Sequence, residues 1–464
     1  MPTQPRKTAR SSRHIAAETL HRRQQRREPV TILLNELAAQ HALAPNDRQL
    51  AMNMTYGVLR QQDYLETLLQ KFCRQPLSKL KPFVRYTLLI GLYQIMFLDR
   101  IPDSAAVNEA VKAVQAAKLP KQLQGLVNGI LRNAARQQGQ LPQPDAADSH
   151  GQPFLNHPPW LTQRWSQHFG QHTMEDICRA NNQQQPLVLQ VNSSRCSRDQ
   201  LRDLLQKAGT AVHHGTHSPE ALILTDFNGR IENLPGFHEG YFQVQGEAPQ
   251  LATGLLAPII PDGRYLDACA GLGGKTSQLL GACLQMNSAQ ATAATQLQAV
   301  EPEARRRGKF LTNLKRLHPD QSITPYPGTL QDFAQHCTET FDGILIDAPC
   351  SGTGVTGRHP DIRWNRLETD FKRYQSIQLD ILRQAATILN PRGIIVYATC
   401  SLEPEENQEV IELFLTEHPD FRLSECAPLL PPAARILTQG PFFAPTPAQG
   451  IDGFFAARLL RDPD

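Results

Sequence analysis

A chain of 464 residues is too long for one ordinary hydrophobic core and allows about three domains, at about 150 residues each. No run approaches the roughly 18 consecutive apolar residues of a membrane helix, and the nine scattered cysteines contain no C-x-x-C pair, which argues against a disulfide framework and against a zinc site. The net charge of +3 hides an asymmetry: residues 1–140 hold 21 Lys/Arg against 9 Asp/Glu, so the remainder balances at −9 (26 against 35). These features predict a cytoplasmic protein with reduced thiols, no bound metal and a polyanionic partner, nucleic acid first.

The start, MPTQPRKTARSSRH, lacks the apolar core of a secretory signal. Its Arg and Ser content suits a transit peptide or a basic disordered arm that touches phosphates, and residues 1–11 are read as the arm. Residues 12–138 read as an all-helical domain: Ser12 to Arg27, Val30 to His41, Pro45 to Lys71, Phe83 to Leu98, a helix capped by Ser104 and running to Lys118, and Gln122 to Gln137. FVRYTLLIGLYQIMFL is apolar nearly all round and is expected to be the buried central helix. GLYQIMFLDRIPDSAAVNEAVKAVQ followed by GLVNGILR resembles the domain shared with the transcription antitermination factor NusB, an RNA-binding helical fold.

Residues 139–153 are rich in Gln, Pro, Gly and Asp without periodicity and read as a linker. A small α+β segment follows over 154–250, with a helix opened by Pro158-Pro159-Trp160-Leu161 and running to about Gly170, a second helix to Asn181, strands Pro186 to Asn192, Ala221 to Leu224 and Tyr241 to Val244, and a helix Ser197 to Ala208; its expected role is to position substrate. Over 251–464, from Gly263 on, strands and helices alternate as in a doubly wound α/β, Rossmann-like domain. Arg264 to Cys269 is its first strand and Ala270 to Thr276 a glycine-rich turn into a helix. Gln285 to Leu297 reads as a loop insertion, Gln298 to Val300 as the second strand, and Asn390 to Gly393 as a turn before the last of the main strands.

Two stretches carry the chemistry, FDGILIDAPCSGTG (341–354) and IIVYATCSLEPEEN (394–407). Each is a short β-branched run ending in a turn with a cysteine, Cys350 and Cys400. The carboxyl ends of strands in a parallel sheet face the ligand crevice, so both thiols would enter one cleft. A lone cysteine after an apolar strand is most often an inert core residue; a pair at two strand ends reverses that expectation. The glycine-rich turn followed by Glu301 at the end of the next strand is the pattern of a nucleoside-cofactor crevice, the acid accepting from ribose hydroxyls. It has neither the G-x-G-x-x-G spacing nor the four-residue spacer of a P-loop.

DACAGLGGKT, AVEPEARRRGKFLTNLKRL, DAPCSGTGVTGRHPDIRW and ATCSLEPEEN, in that order, resemble the S-adenosylmethionine-dependent RNA 5-methylcytosine methyltransferases of the Sun (Fmu) family, over about residues 12 to 460. The resemblance implies methylation of cytosine C5 in small-subunit ribosomal RNA by a monomeric enzyme, with Cys400 as the nucleophile, Cys350 assisting product release, Asp347 on the cytosine ring edge and Lys275 beside the reacting groups. It further implies S-adenosylmethionine contacts from Asp267, Cys269, Ala270, Gly271, Gly273, Gly274, Lys275, Glu301, Arg306 and Asp347. Substrate contacts are implied for Pro349, Arg358, His359 and Arg363, while Trp364 suits either a stacking face or a core. The chain departs from the family pattern at Gly271-Leu272, at Gln245 to Gln250, and at Thr329, where an acid is expected and Asp332 sits one turn on. A transfer RNA substrate and a non-catalytic assembly role stay open at this point.

Overall fold

A computed structural model describes residues 10–145, 151, 153–227, 229–289 and 296–463. Most of the amino-terminal arm and part of the linker lie outside the described residues. The chain forms two compact units, residues 1–183 with 356–366, and residues 184–355 with 367–464.

The first unit is helical: α1 (Ser12–Arg26), α2 (Val30–Gln40), α3 (Pro45–Arg60), α4 (Gln62–Phe72), α5 (Pro82–Phe97), α6 (Asp103–Ala116), α7 (Lys121–Arg136), α8 (Pro159–Phe169) and α9 (Gln171–Asn181). α5 is buried along most of its length, as its apolar circumference requires. The expected single helix from Pro45 to Lys71 is two, because Gln61 leaves helical geometry at φ −116°, ψ 29°. α6 starts two residues earlier than a Ser104 cap would place it, at Asp103 after Pro102, and Ser104 does not cap it. The expected 154–250 segment divides: its helices α8 and α9 belong to this unit and its strands to the other.

Asp63, on α4, has its carboxyl pushed up to about 7 by burial and by Glu66, with Arg363 working against the shift. The folded value lies above the ordinary 3.8, so the native state holds the proton longer and stability falls as pH rises from about 4 to about 7. Asp63→Asn is expected to flatten that decline. All three tryptophans, Trp160, Trp165 and Trp364, lie in this unit, so urea titrations followed by tryptophan fluorescence read it alone.

The second unit opens with β1 (Leu187–Val191), α10 (Arg198–Lys207), β2 (Val212–His214), β3 (Ala221–Leu224), β4 (Phe242–Val244) and α11 (Glu247–Gly254). The four strands form an antiparallel sheet in the order β2-β3-β1-β4. Then come β5 (Arg264–Asp267), α12 (Gly274–Ala289), β6 (Gln296–Ala299), α13 (Ala304–Leu317), α14 (Leu330–His336) and β7 (Phe341–Asp347). After α15 (Ile362–Asn365), which belongs to the first unit, follow α16 (Thr369–Thr387), β8 (Leu389–Thr399), α17 (Gln408–Glu417), β9 (Phe421–Ser424), β10 (Thr438–Gln439), β11 (Phe442–Phe443) and β12 (Phe455–Arg461).

Strands β6, β5, β7 and β8 are parallel neighbours; β12 joins β8 antiparallel and continues through β11 to β10, with β9 also on β12. The α/β class is as expected, and the antiparallel edge makes the sheet mixed. Alternate residues serve opposite cores: Ile344, Ile346, Ile395 and Tyr397 pack on one face, Leu345, Val396 and Ala398 on the other. Residues 285–289 continue α12 and residues 296–297 already belong to β6, which starts two residues before the expected Gln298, so neither end of the expected insertion is a loop; 290–295 lie outside the described residues. Asn390 to Gly393 lies within β8, where the register with β7 shifts and Arg392 takes φ 64°, so the expected turn is an irregularity inside the strand.

Candidate active site

Adjacent parallel strands β7 and β8 end level, Asp347 opposite Ala398. The turns that follow bring Cys350 Sγ to 3.3 Å from Cys400 Sγ, both partly exposed. Burial and the neighbouring Cys400 sulfur, the latter first, push the Cys350 thiol well above its ordinary range, with Glu406 adding to the shift. Cys350 is therefore held as a thiol, able to donate to the Cys400 sulfur. The Cys350 turn also needs close backbone contact: Gly354 N–H donates to Cys400 O (2.9 Å), Gly453 N–H donates to Gly354 O (2.9 Å), and a Cβ at Gly354 would stand 2.3 Å from Gly453 O.

Lys275, in the first turn of α12, donates from Nζ to Asp347 Oδ2 at 2.6 Å; the two side chains are 13% and 34% exposed. Burial opposes the ammonium charge, but Asp347, Asp267 and Cys400 outweigh it and leave the Lys275 pKa above its usual value. That places a lasting positive charge beside Cys400. Gln243 Nε2 donates to Gly274 O at 2.8 Å, which ties the start of α12 to the small antiparallel sheet.

Asp267 closes β5 with a buried carboxylate that accepts from Thr276 Oγ (2.6 Å) and Cys269 N–H (3.3 Å), fixing the glycine-rich turn. Burial raises its pKa to about 6. Cys269 has a thiol raised by burial and by Asp267, an inert form. Ala270 N–H donates to Val300 O (3.0 Å), and Gly271 and Gly273 take φ 56° and 85°; a Cβ at Gly273 would meet Phe310 at 2.8 Å. Glu301, buried just past β6, accepts from Glu303 N–H at 2.7 Å. This crevice fits a nucleoside: glycine backbone can approach the ligand, and an acid stands at the next strand end.

Other expected site residues fall elsewhere. Arg306 is exposed on α13 and pairs with Glu303 at 2.8 Å. Arg363 is a correction: it is fully buried in the first unit, Nη1 donating to Asn156 O (3.0 Å) and Asn182 Oδ1 (2.7 Å), and Nη2 to Asn181 O (2.8 Å) and Thr356 O (3.2 Å). No N–H of either terminal nitrogen is left for a phosphate at that depth. Trp364 packs on the helical core and donates from Nε1 to Leu59 O at 2.8 Å, so it is core and not a stacking face. Arg358, partly exposed, and His359, exposed, precede them in the same unit, and Pro349 is exposed in the Cys350 turn.

The departures from the family pattern have structural uses. Glu247 accepts from the backbone N–H of Thr216, His217 and Ser218 (3.2, 2.7 and 2.7 Å), and Thr329 with Asp332 forms a capping box on α14. Sequence reasoning passed over Glu406, a fully buried carboxylate that binds both cysteine turns; its only signal was its place six residues after Cys400. Among the described residues no helix is long and apolar enough to cross a membrane, and no group of three His, Cys, Asp or Glu could hold a metal ion.

Residues 254–460 match the family described as 16S rRNA methyltransferase RsmB/F, residues 10–136 the NusB family, and residues 157–229 the ferredoxin-like domain of RsmF/B-like methyltransferases. The chain is 37% identical over 452 residues to the ribosomal RNA small subunit methyltransferase B of Erwinia tasmaniensis, covering 97% of this chain and 98% of the relative. Among solved structures, that of PH0851 shares the fold over 97% of this chain and 98% of its own, with a TM-score of 0.73 at 21% identity. A methyltransferase homolog from Pyrococcus horikoshii aligns over 66% of this chain and 96% of its own, with a TM-score of 0.54 at 26% identity. By its near full-length likeness to that curated relative and its match to the family over residues 254–460, this chain belongs to the 16S rRNA methyltransferase RsmB/F family.

Proposed function

We propose that this protein methylates carbon 5 of cytosine in small-subunit ribosomal RNA through a covalent adduct between Cys400 and carbon 6. The observation that carries the reading is the 3.3 Å approach of two thiols from adjacent strand ends, with the Lys275–Asp347 ion pair beside them. Carbon 5 of cytosine is a weak nucleophile. Addition of the Cys400 thiolate at carbon 6 forms the S–C6 bond and moves the C5=C6 electron pair toward carbon 5, which can then attack an electrophilic methyl group. Asp347 hydrogen-bonds the ring edge, and Lys275 stabilises the thiolate before attack.

The crevice residues Asp267, Gly271, Gly273 and Glu301 would hold S-adenosylmethionine, which supplies the methyl cation when bound. Loss of the carbon 5 proton to a base then restores the C5=C6 bond as the S–C6 bond breaks. Cys350, protonated and within reach of the departing sulfur, donates to it and eases release. A stacked base cannot enter such a cleft, so the target cytosine must be unpaired or flipped out.

The test is transfer of labelled methyl from S-adenosylmethionine to deproteinised small-subunit ribosomal RNA, followed by nucleoside analysis. The expected product is 5-methylcytidine in that RNA alone. Methylation of transfer RNA instead would overturn the substrate assignment, and label at any position other than carbon 5 would overturn the mechanism.

A further inference from the structure

Both cysteine turns converge on one acid. Glu406 sits at the end of a single 3₁₀ turn, Pro404–Glu406, with 0% of its surface exposed. Its Oε2 accepts from Ser351 N–H, the residue after Cys350, at 2.7 Å, and from Gln378 Nε2 of α16 at 3.1 Å. Its Oε1 accepts from Ser401 Oγ, the residue after Cys400, at 2.8 Å. Gln378 Nε2 donates as well to Pro349 O at 3.0 Å, and Ser401 Oγ lies 3.1 Å from Ser351 Oγ. One carboxylate is thus bonded directly to both turns, and one amide ties the strap before Cys350 to it. A carboxylate is rarely left this deep unless its bonds hold something in place.

We propose that Glu406 is a positioning residue, whose buried carboxylate locks the Cys350 turn to the Cys400 turn and thereby sets the working distance between the two thiols. The inference rests on the two-thiol reading above and extends it by naming what assembles the pair. The charge has a second use: it works against ionisation of Cys350, so the turn that must donate a proton keeps one. The titratable groups around the clamp are Cys350 and Cys400 on the two turns and Tyr397 on β8, whose hydroxyl donates to Glu406 O at 2.6 Å, with Lys275 and Asp347 beside Cys400. The acid itself is pulled in two directions, burial raising its pKa and the bonds from Ser351, Ser401 and Gln378 lowering it, with burial the larger.

Glu406→Gln keeps the shape but removes the charge: its amide oxygen can still accept from Ser351 N–H, while its amide nitrogen must donate to Ser401 Oγ and forces that hydroxyl proton to turn to another partner, which weakens the clamp; Glu406→Asp keeps the charge on a shorter arm. Single-turnover methyl transfer in Glu406→Gln is expected to fall about 100-fold, the scale of a misplaced reacting group, with KM for S-adenosylmethionine and for RNA unchanged and with Glu406→Asp recovering about a tenth of the wild-type rate. In parallel, iodoacetamide labelling of the free protein across pH, resolved by mass spectrometry, is expected to show the Cys350 midpoint moving down by about one unit in Glu406→Gln but not in Glu406→Asp. The labelling needs no RNA, so it decides the role of Glu406 even if the wild-type protein proves to transfer no methyl group. Wild-type rate and an unmoved Cys350 midpoint in Glu406→Gln would overturn the proposal. So would equal loss of rate, cofactor binding and melting temperature in both variants, which is the signature of a merely structural acid.

Discussion

Cys400→Ser is expected to abolish methyl transfer, a loss on the order of 10⁴-fold or more, because a serine hydroxyl at neutral pH offers almost no alkoxide to add at carbon 6. Cys350→Ser is expected to do something different. Addition and methylation need only Cys400 and Lys275, whereas release loses the thiol that sits 3.3 Å from the departing sulfur. A protein–RNA adduct should therefore accumulate in Cys350→Ser and be absent from Cys400→Ser and from the double variant, as read by a retarded band on a denaturing gel. Adduct in Cys400→Ser would move the nucleophile to Cys350 and reverse the two assignments. The Lys275 charge and the raised Cys350 pKa both favour the order stated here.

Arg363→Ala is expected to be the most destabilising single change in the first unit. The guanidinium donates to four acceptors from Asn156, Asn181, Asn182 and Thr356, and removing it strands buried oxygens and opens a cavity. The expected cost is about 3–5 kcal/mol, the range for breaking a buried charged network. Its surroundings are set up for one cation: His157 is kept neutral, by burial first and by the Arg363 charge second. Urea unfolding read by tryptophan fluorescence reports this unit directly, since Trp364 is the next residue in the chain. Arg363→Lys should recover little, because a single ammonium cannot reach two pairs of acceptors at once. A change below about 1 kcal/mol, the level of an ordinary surface substitution, would refute the structural role.

The contrast between Arg363 and Cys350 shows what a sequence can disclose. Cys350 and Cys400 were legible because strand periodicity is local and a parallel sheet delivers strand ends to one edge. The glycine-rich turn and Glu301 were legible for the same reason. RHPDIRW reads as a basic, aromatic surface loop, and nothing within it signals that residues 356–366 return to a unit built from the first 183 residues. Burial of that kind is set by long-range topology. β10 and β11, two residues each, are too short to show alternation, and Gln285 to Ala289 looks like a loop by composition yet continues a helix whose capping signals lie upstream. Glu406 escaped notice because acids in PEEN look solvated; only the convergence of Ser351, Ser401 and Gln378 on it makes burial tolerable.

The return of residues 356–366 to the first unit also fixes an order of events at the ribosome. Residues 1–183 are made first, but Arg363 and Trp364, which satisfy Asn156, Asn181, Asn182 and Leu59, emerge only after residues 184–355. At about 5–20 residues per second that interval is roughly 10–35 s. For that time the nascent helical unit carries unfilled polar sockets, and its completion waits on a segment translated after Cys350.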